Sequence, residues 1–290
     1  MSENAATGSA DTSNPAKDFF TKHHFLLRRL HSLSGIIPVG MFVIVHLFTN
    51  AQMIRWTSGH DEFQHEVDFI HSTPALLFVE IGLWLGIGFH ALLGVGYMTG
   101  AVPNPTKYKF RANYFYTLQR ITAWIALVFI FVHIATLRWR FNLLGMWPDT
   151  PFYWRGADVP NLDASLADVP MTTPLTAYAL QVSWAVLVFY IIGVSSVIFH
   201  WCNGLWTAAI TWGATISKGA QKRWGQACAG LALSLAVFSG LALVGALRFD
   251  LENDTTAQQR QVMVHLKLIT AEEAAGANGD ASVDTKVEAK

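Results

Sequence analysis

The chain is poor in charged side chains and in cysteine. Asp, Glu, Lys and Arg make up 14% of its 290 residues, against about 25% in an average soluble domain. Cys202 and Cys228 are its two cysteines, so a zinc or iron–sulfur site with four cysteine ligands is excluded. We expect both to be packing residues without a disulfide bond. No glycine-rich dinucleotide motif occurs, which argues against a flavin-binding domain.

What the chain has instead is a series of long apolar runs. No Asp, Glu, Lys or Arg occurs in 30–54, 121–137, 171–217 or 225–247, and Glu80 alone interrupts 73–106. Because about 20 apolar residues cross a bilayer, we predict an all-α membrane protein with five transmembrane helices, at roughly 33–54, 75–99, 121–141, 177–203 and 227–248. This transmembrane domain would cover 21–251, between a polar tail at 1–20 and a polar, disordered tail at 252–290. We expect the lipid bilayer as its environment and no nucleic-acid partner.

The charges that remain are segregated by sign between the two ends of the predicted bundle. Basic residues precede helix one and fill the loops between helices two and three and between helices four and five; they are Lys22, Arg28, Arg29, Lys107, Lys109, Arg111, Arg120, Lys218, Lys222 and Arg223. The other loops are acidic, with Asp61, Glu62, Glu66, Asp68, Asp149, Asp158, Asp163 and Asp168. Basic loops stay in the cytoplasm. The pattern therefore predicts a multi-pass protein of the bacterial inner membrane with a cytoplasmic N-terminus and an extracytoplasmic C-terminus.

Four histidines lie inside the apolar runs, one in each of the first four helices: His46, His90, His133 and His200. An ionisable residue in hydrocarbon is costly and is a functional candidate by default. At about 1.5 Å of rise per residue, His46 and His133 share the outer half of the bilayer, and His90 and His200 share the inner half. Two facing imidazoles can fill both axial positions of a haem iron. No Cys-x-x-Cys-His segment occurs, so we predict two non-covalent b haems, stacked within a bundle of helices one to four.

Weaker candidates surround these pairs. His31, Arg29 and Ser32 lie at the inner interface, where we expect contact with a haem propionate or a quinone. Arg138 follows His133 closely and could neutralise a propionate of the outer haem. Glu80 is the one carboxylate well inside a predicted helix, so we expect it to deliver protons to a quinone; its alternative role is an ion pair with Arg138 or Arg140.

Four segments carry a resemblance to a known family: RRLHSLSGIIPVGMFVIVHL (28–47), GFHALLGVGY (88–97), LQRITAWIALVFIFVHIATLR (118–138) and IIGVSSVIFHWCNGLWTAAITWG (191–213). They resemble the single-chain, five-helix, di-haem cytochrome b membrane anchor of succinate:quinone oxidoreductase, over about 25–247 of this chain. The resemblance implies axial pairs between helices one and three and between helices two and four. Those pairs are His46 with His133 and His90 with His200, the same as the depth argument predicts.

The resemblance also implies partners. A flavoprotein subunit would oxidise succinate and an iron–sulfur subunit would relay electrons, both on the cytoplasmic face. This chain would anchor them and exchange electrons with membrane quinone as its substrate, in the respiratory chain and the tricarboxylic acid cycle. The same complex can act as a fumarate reductase. Two alternatives stay open: the di-haem anchor of another quinone-linked dehydrogenase, such as a hydrogenase or formate dehydrogenase, and a carrier that uses its histidines for protons or a metal.

Overall fold

The computed structural model describes residues 15–54, 61–99, 109–141, 143 and 153–275, with the backbone alone for 15–18. Within these ranges the regular structure is helical. In chain order the α-helices are α1 Pro15–Ser34, α2 Met41–Ala51, α3 Glu62–Ser72, α4 Leu76–Thr99, α5 Arg111–Leu137, α6 Thr172–Val182, α7 Trp184–Thr211, α8 Lys218–Arg248 and α9 Ala257–His265. The predictions that concern Lys107, Asp149, 1–14 and 276–290 lie outside the described residues.

Five segments of the described chain are long and apolar enough to cross a membrane, as predicted: Phe19–Ile54, Leu76–Thr99, Arg111–Leu137, Trp184–Thr211 and Lys218–Arg248. Their bounds exceed the uncharged runs at several ends. The reason is physical, because Lys and Arg near a helix end extend their charged groups to the interface and do not terminate the helix. Helix one thus begins well before the predicted residue 33, and the fifth span begins at Lys218 instead of 227.

The first span is continuous, but it changes its helical pitch in the middle. Residues Gly35–Gly40 form a π-helical segment between α1 and α2. The segment contains Pro38, whose ring cannot fit the tighter turn of an α-helix without striking a preceding carbonyl. A wider π turn relieves that conflict. Pro38 also packs closely on Gly86 of α4, so the segment is a contact point between the first two spans.

Within the described residues, the spans pack so that two pairs of helices, α2 with α5 and α4 with α7, do not pack closely; each of these two pairs is here called a diagonal. α5 packs along α7, α8 packs against α2 and α7, and α4 packs against α1 and the π-helical segment. A central apolar cluster joins α2, α7 and α8 through Leu47, Ile198, Trp201, Cys202 and Leu235. This packing buries the side of the bundle formed by α2, α7 and α8. Contacts across each diagonal are made by side chains.

One end of the bundle carries a compact layer, here called the cap, made of α3, residues 153–182 and residues 249–275. Its apolar core contains Met171, Leu175, Val262 and Met263 among others. The N-terminal end of α9 forms a reciprocal pair of hydrogen bonds between Thr256 and Gln259. Gln259 Nε2 also donates to Pro170 O at 2.8 Å. Ion pairs tie the cap to itself and to the bundle, Arg140 with Asp158 at 2.9 Å and Arg155 with Asp68 at 2.8 Å.

The cap corrects two predictions. A disordered tail from residue 252 is wrong for the described residues 252–275, because α9 buries Val262 and Met263 completely against the loop that precedes α6. The fourth span does not begin at 177 either. Residues Thr172–Val182 form the separate helix α6 inside the cap, and Ser183 begins α7 by accepting a hydrogen bond from Val186 N at 3.4 Å. The prediction for the cysteines is confirmed: Cys202 and Cys228 are buried and free.

At Gly245, α8 approaches the main chain of the first span closely, and from this contact we predict a stability effect. A Cβ at Gly245 of α8 would overlap the Met53 main chain, whereas a Cβ at Gly240 of the same helix would meet nothing within 4 Å. Main chain cannot move aside as a flexible side chain can, so we expect Gly245→Ala to cost about 1–3 kcal/mol of stability. Thermal unfolding of the purified protein in detergent measures this. Gly240→Ala is the matched control and should unfold no earlier than wild type; equal melting temperatures for both variants would contradict the prediction.

Candidate functional site

His46 of α2 and His133 of α5 face each other across the first diagonal, near the cap. Their ring centroids lie 5.9 Å apart and their planes are inclined by 79°. Each ring also has an aromatic neighbour one turn earlier in its own helix: Phe42 lies 5.1 Å from His46 and Phe129 lies 5.6 Å from His133. The aromatic neighbours restrict the rotation of both imidazoles, so the pair is held between helices that do not otherwise pack together.

His90 of α4 and His200 of α7 form the equivalent pair across the second diagonal, nearer the end of the bundle where α1 begins, here called the N-terminal end. Their ring centroids are 6.1 Å apart with an inclination of 85°. His31 of α1 stacks on His90 with centroids 4.0 Å apart. A Cβ at Gly35 would come within 2.6 Å of His90 Nδ1. Glycine at position 35 is therefore what allows this imidazole to lie against the first span.

Three of the four imidazoles engage Nδ1 in a hydrogen bond with an oxygen atom. His90 Nδ1 lies 2.8 Å from His31 O, and His200 Nδ1 lies 3.1 Å from Gln119 O. His133 Nδ1 lies 3.0 Å from the Tyr190 hydroxyl. His200 Nδ1 lies between the Gln119 main-chain O, which can only accept, and the Gln119 Nε2 amide at 3.2 Å, which donates, so these contacts do not fix its tautomer. His90 Nδ1 has the carbonyl partner alone, so His90 donates from Nδ1 and keeps the lone pair on Nε2. This is the tautomer in which metal-bound histidines are held by their outer partners.

A polar network holds His200 in place. Gln119 of α5 donates from Nε2 to His200 O at 2.9 Å, and its Oε1 accepts from Asn203 Nδ2 at 2.7 Å. Asn203 is 8% exposed, so its amide depends on Gln119 for an acceptor. The network fixes the position of α5 relative to α7 next to the imidazole.

Both pairs have the donor chemistry and spacing of two axial ligands on one metal ion. A metal–imidazole nitrogen bond of about 2.1 Å and a ring radius of about 1 Å give centroids about 6 Å apart. No group of three or more His, Cys, Asp or Glu side chains that could hold a metal ion occurs in the described ranges. Two imidazoles alone leave most coordination positions of an ion unfilled, so a metal here would need a cofactor that brings its own ligands.

The inner cluster of sequence candidates gathers at the N-terminal end. The guanidinium of Arg29 lies over the rings of Phe25 and Trp212, at 4.1 Å and 5.2 Å. Ser32 Oγ accepts a hydrogen bond from Trp212 Nε1 at 3.0 Å. Three buried polar atoms of this end have no hydrogen-bond partner among the described residues: Arg29 Nε, His31 Nδ1 and Tyr97 OH. His31 stacks on His90, and Tyr97 lies 5.5 Å from His31. Such atoms are suited to an anionic group such as a carboxylate.

The outer candidates meet at the cap end. Arg138 Nη2 lies 3.2 Å from Glu80 Oε2, with 57% and 30% of the two side chains exposed. Glu80 thus forms an ion pair with Arg138, one of the two arginines that the sequence offered as its ion-pair partner. Trp84 of α4 stacks on Trp139 with centroids 5.5 Å apart and an angle of 11°. The ion pair and the stacked indoles together join α4 to the end of α5, beside His133.

Several of these residues escaped sequence reasoning. Tyr190 and Gln119 lie on other helices than the histidines they contact, and Trp84 lies on another helix than its partner Trp139. Nothing in their local sequence indicates these contacts. Asn50 could have been found, because it lies one turn after His46 in an apolar run. Its amide donates to His46 O at 2.7 Å.

Comparison with known proteins gives one informative match. The chain is 34% identical over 222 residues to the succinate dehydrogenase cytochrome b558 subunit of Bacillus subtilis (strain 168). The alignment covers 76% of this chain and 93% of that subunit. No family model matches the chain, and no solved structure matches it significantly.

The network around His200 predicts the effect of a substitution. Gln119→Leu would leave the buried Asn203 amide without its acceptor, so we expect a loss of about 1–3 kcal/mol of stability. Thermal unfolding in detergent measures the loss. Gln226→Leu is the matched control, since Gln226 is exposed on α8. A Gln119 variant as stable as the control would mean that the amide network contributes nothing to the packing of α5 on α7.

Proposed function

The chain belongs to the family of succinate dehydrogenase cytochrome b subunits, and on this premise we propose that it holds two b haems and carries electrons between the iron–sulfur subunit and membrane quinone. It is a multi-pass membrane subunit of an enzyme complex and works with the other subunits of succinate dehydrogenase. In this proposal His46 and His133 hold the outer haem, and His90 and His200 hold the inner haem. Each haem would supply one-electron transfer with no open position for oxygen.

This proposal is supported above all by the two histidine pairs that lie across the two diagonals. Each diagonal is bridged by two imidazoles with centroids about 6 Å apart, between helices that do not pack closely. A macrocycle needs that lateral space, and it supplies the equatorial nitrogens that two histidines lack. The same reasoning disfavours a bare ion or a proton path as the purpose of these residues. Among the dehydrogenase anchors considered, the relative favours succinate dehydrogenase over a hydrogenase or formate dehydrogenase.

The orientation follows from the charges at the two ends. Lys22, Arg28, Lys109 and Lys218 lie at the N-terminal end of the bundle, and acidic residues are concentrated in the cap. The positive-inside rule therefore supports a cytoplasmic N-terminal end. The flavoprotein and iron–sulfur subunits would dock there, beside the inner pair. Arg29, His31 and Tyr97 would offer their free polar atoms to the propionates of the inner haem or to a quinone.

We propose the cap end of α4 and α5 for quinone. Conversion of a quinone to a quinol takes up two protons, so a titratable side chain has to stand near the ring. Glu80 is 30% exposed and is ion-paired with Arg138. The stacked Trp84 and Trp139 offer a flat apolar surface next to it, suited to an aromatic ring in lipid. In this site Arg138 orients the carboxylate, and contact with an outer propionate would be its second role. The direction of electron flow, succinate oxidation or fumarate reduction, depends on the redox state of the quinone pool.

Haem content tests the ligand assignment. Either His90→Ala or His200→Ala should halve the haem b of the purified complex and remove one of the two components from a visible redox titration. His46→Ala and His133→Ala should remove the other component, because each iron loses one axial ligand. His71→Ala in α3 is the control and should retain both. Full haem content in any of the four variants, or no haem in the wild-type complex, would overturn the assignment.

Proton delivery by Glu80 is tested by a neutral isostere. Glu80→Gln keeps the size of the side chain but cannot take up or release the proton, so we expect quinone turnover to fall about 10²–10⁴-fold. Both haem spectra should be retained. The assay follows succinate-dependent quinone reduction by the complex, with Glu252→Gln, an exposed carboxylate of the cap, as the matched control. Turnover equal to that of the control would remove Glu80 from the mechanism.

A further inference from the structure

The two histidine pairs differ in the group that receives the Nδ1 hydrogen. In the inner pair the Nδ1 atoms lie against main-chain carbonyls, His31 O for His90 and Gln119 O for His200. The Gln119 Nε2 amide also lies 3.2 Å from His200 Nδ1, but that group is a donor. In the outer pair His133 Nδ1 meets a side-chain oxygen, the Tyr190 hydroxyl of α7, at 3.0 Å. Among the described residues, His133 is therefore the one of the four whose Nδ1 meets a side-chain oxygen, and a substitution can remove that oxygen without changing the backbone.

We propose that Tyr190 is a positioning residue that holds His133 in the ligand tautomer and thereby sets the reduction potential of the outer haem. This inference rests on the proposed function, since it takes His133 to be an axial ligand. With the phenol oxygen as acceptor, the hydrogen stays on Nδ1 and the lone pair stays on Nε2. A hydrogen bond from Nδ1 makes the opposite nitrogen more basic and so favours ferric iron.

The packing around Tyr190 supports a fixed role for this side chain. The Phe129 ring lies 5.4 Å from Tyr190 and 5.6 Å from His133, so one ring contacts both partners. Phe129 in turn lies so close over Gly193 that a Cβ there would overlap it. The Phe189 ring lies 6.2 Å from Tyr190 and 5.2 Å from Phe129. The Tyr190 ring thus packs among aromatic side chains, and these contacts would persist if its hydroxyl were removed.

Tyr190→Phe should raise the reduction potential of the outer haem alone. Loss of the acceptor makes His133 a weaker donor to iron and stabilises the ferrous state relative to the ferric one. We expect a threefold to tenfold change in the reduction equilibrium, or about 30–60 mV at 59 mV per tenfold for one electron. Tyr190→Gln, which offers an amide carbonyl as a stronger acceptor, should lower the potential relative to Tyr190→Phe. Tyr178→Phe in the cap is the control and should leave both potentials unchanged.

The measurement is a visible redox titration of the purified complex, with His133→Ala and His90→Ala used to assign the two components. The proposal is overturned if Tyr190→Phe leaves the outer potential unchanged, if it moves both potentials equally, or if both Tyr190 variants lose both haems. Loss of the outer haem from Tyr190→Phe with its retention in Tyr190→Gln would support the proposal. A wild-type complex without haem, or a His133→Ala variant with both haems, would instead overturn the proposed function.

Discussion

An imidazole placed inside an apolar helix bundle has to satisfy both of its ring nitrogens, and the arrangement of the spans depends on this requirement. Transfer of a polar group from water to such surroundings without a hydrogen-bond partner costs about 2–7 kcal/mol. Three of the four intramembrane histidines meet half of the requirement in the same way, by engaging Nδ1 with an oxygen atom from another helix. In the proposed function, the other nitrogen would bind the haem iron. The hydrogen bond that stabilises the protein would then also orient the ligand.

The helix packing is consistent with that requirement. Close contacts are confined to the sides of the bundle, where glycines and the π-helical turn at Pro38 let backbones or rings approach. The diagonals are left to the imidazole pairs, which lie at two depths. In the proposed function, the two pairs would hold two haems in series along the bundle, one nearer the partner subunits and one nearer the quinone.

The two ends of the bundle have different chemistry. The N-terminal end has basic residues and aromatic rings around Arg29 and Trp212. The other end is closed by the cap, whose core is apolar and whose surface is tied by ion pairs. Glu80 of α4 and Arg138, which follows α5, form an ion pair in which both side chains are partly exposed. In the proposed quinone site, this exposure would let the carboxylate exchange protons with water.

The sequence by itself determined the class of protein, the five spans and the position of each histidine along its span. These properties depend on hydrophobicity summed along the chain and on the constant rise of a helix, and both can be counted without knowing the fold. It could not determine that α6 ends at Val182 as a helix separate from α7, or that residues 252–275 fold as part of the cap, because those features depend on contacts between distant segments. Nor could it show that Tyr190 meets His133, that Gln119 supports His200, or which basic residue pairs with Glu80. Each of these depends on how a helix is rotated about its own axis, and that rotation is decided by the tertiary packing of its neighbours.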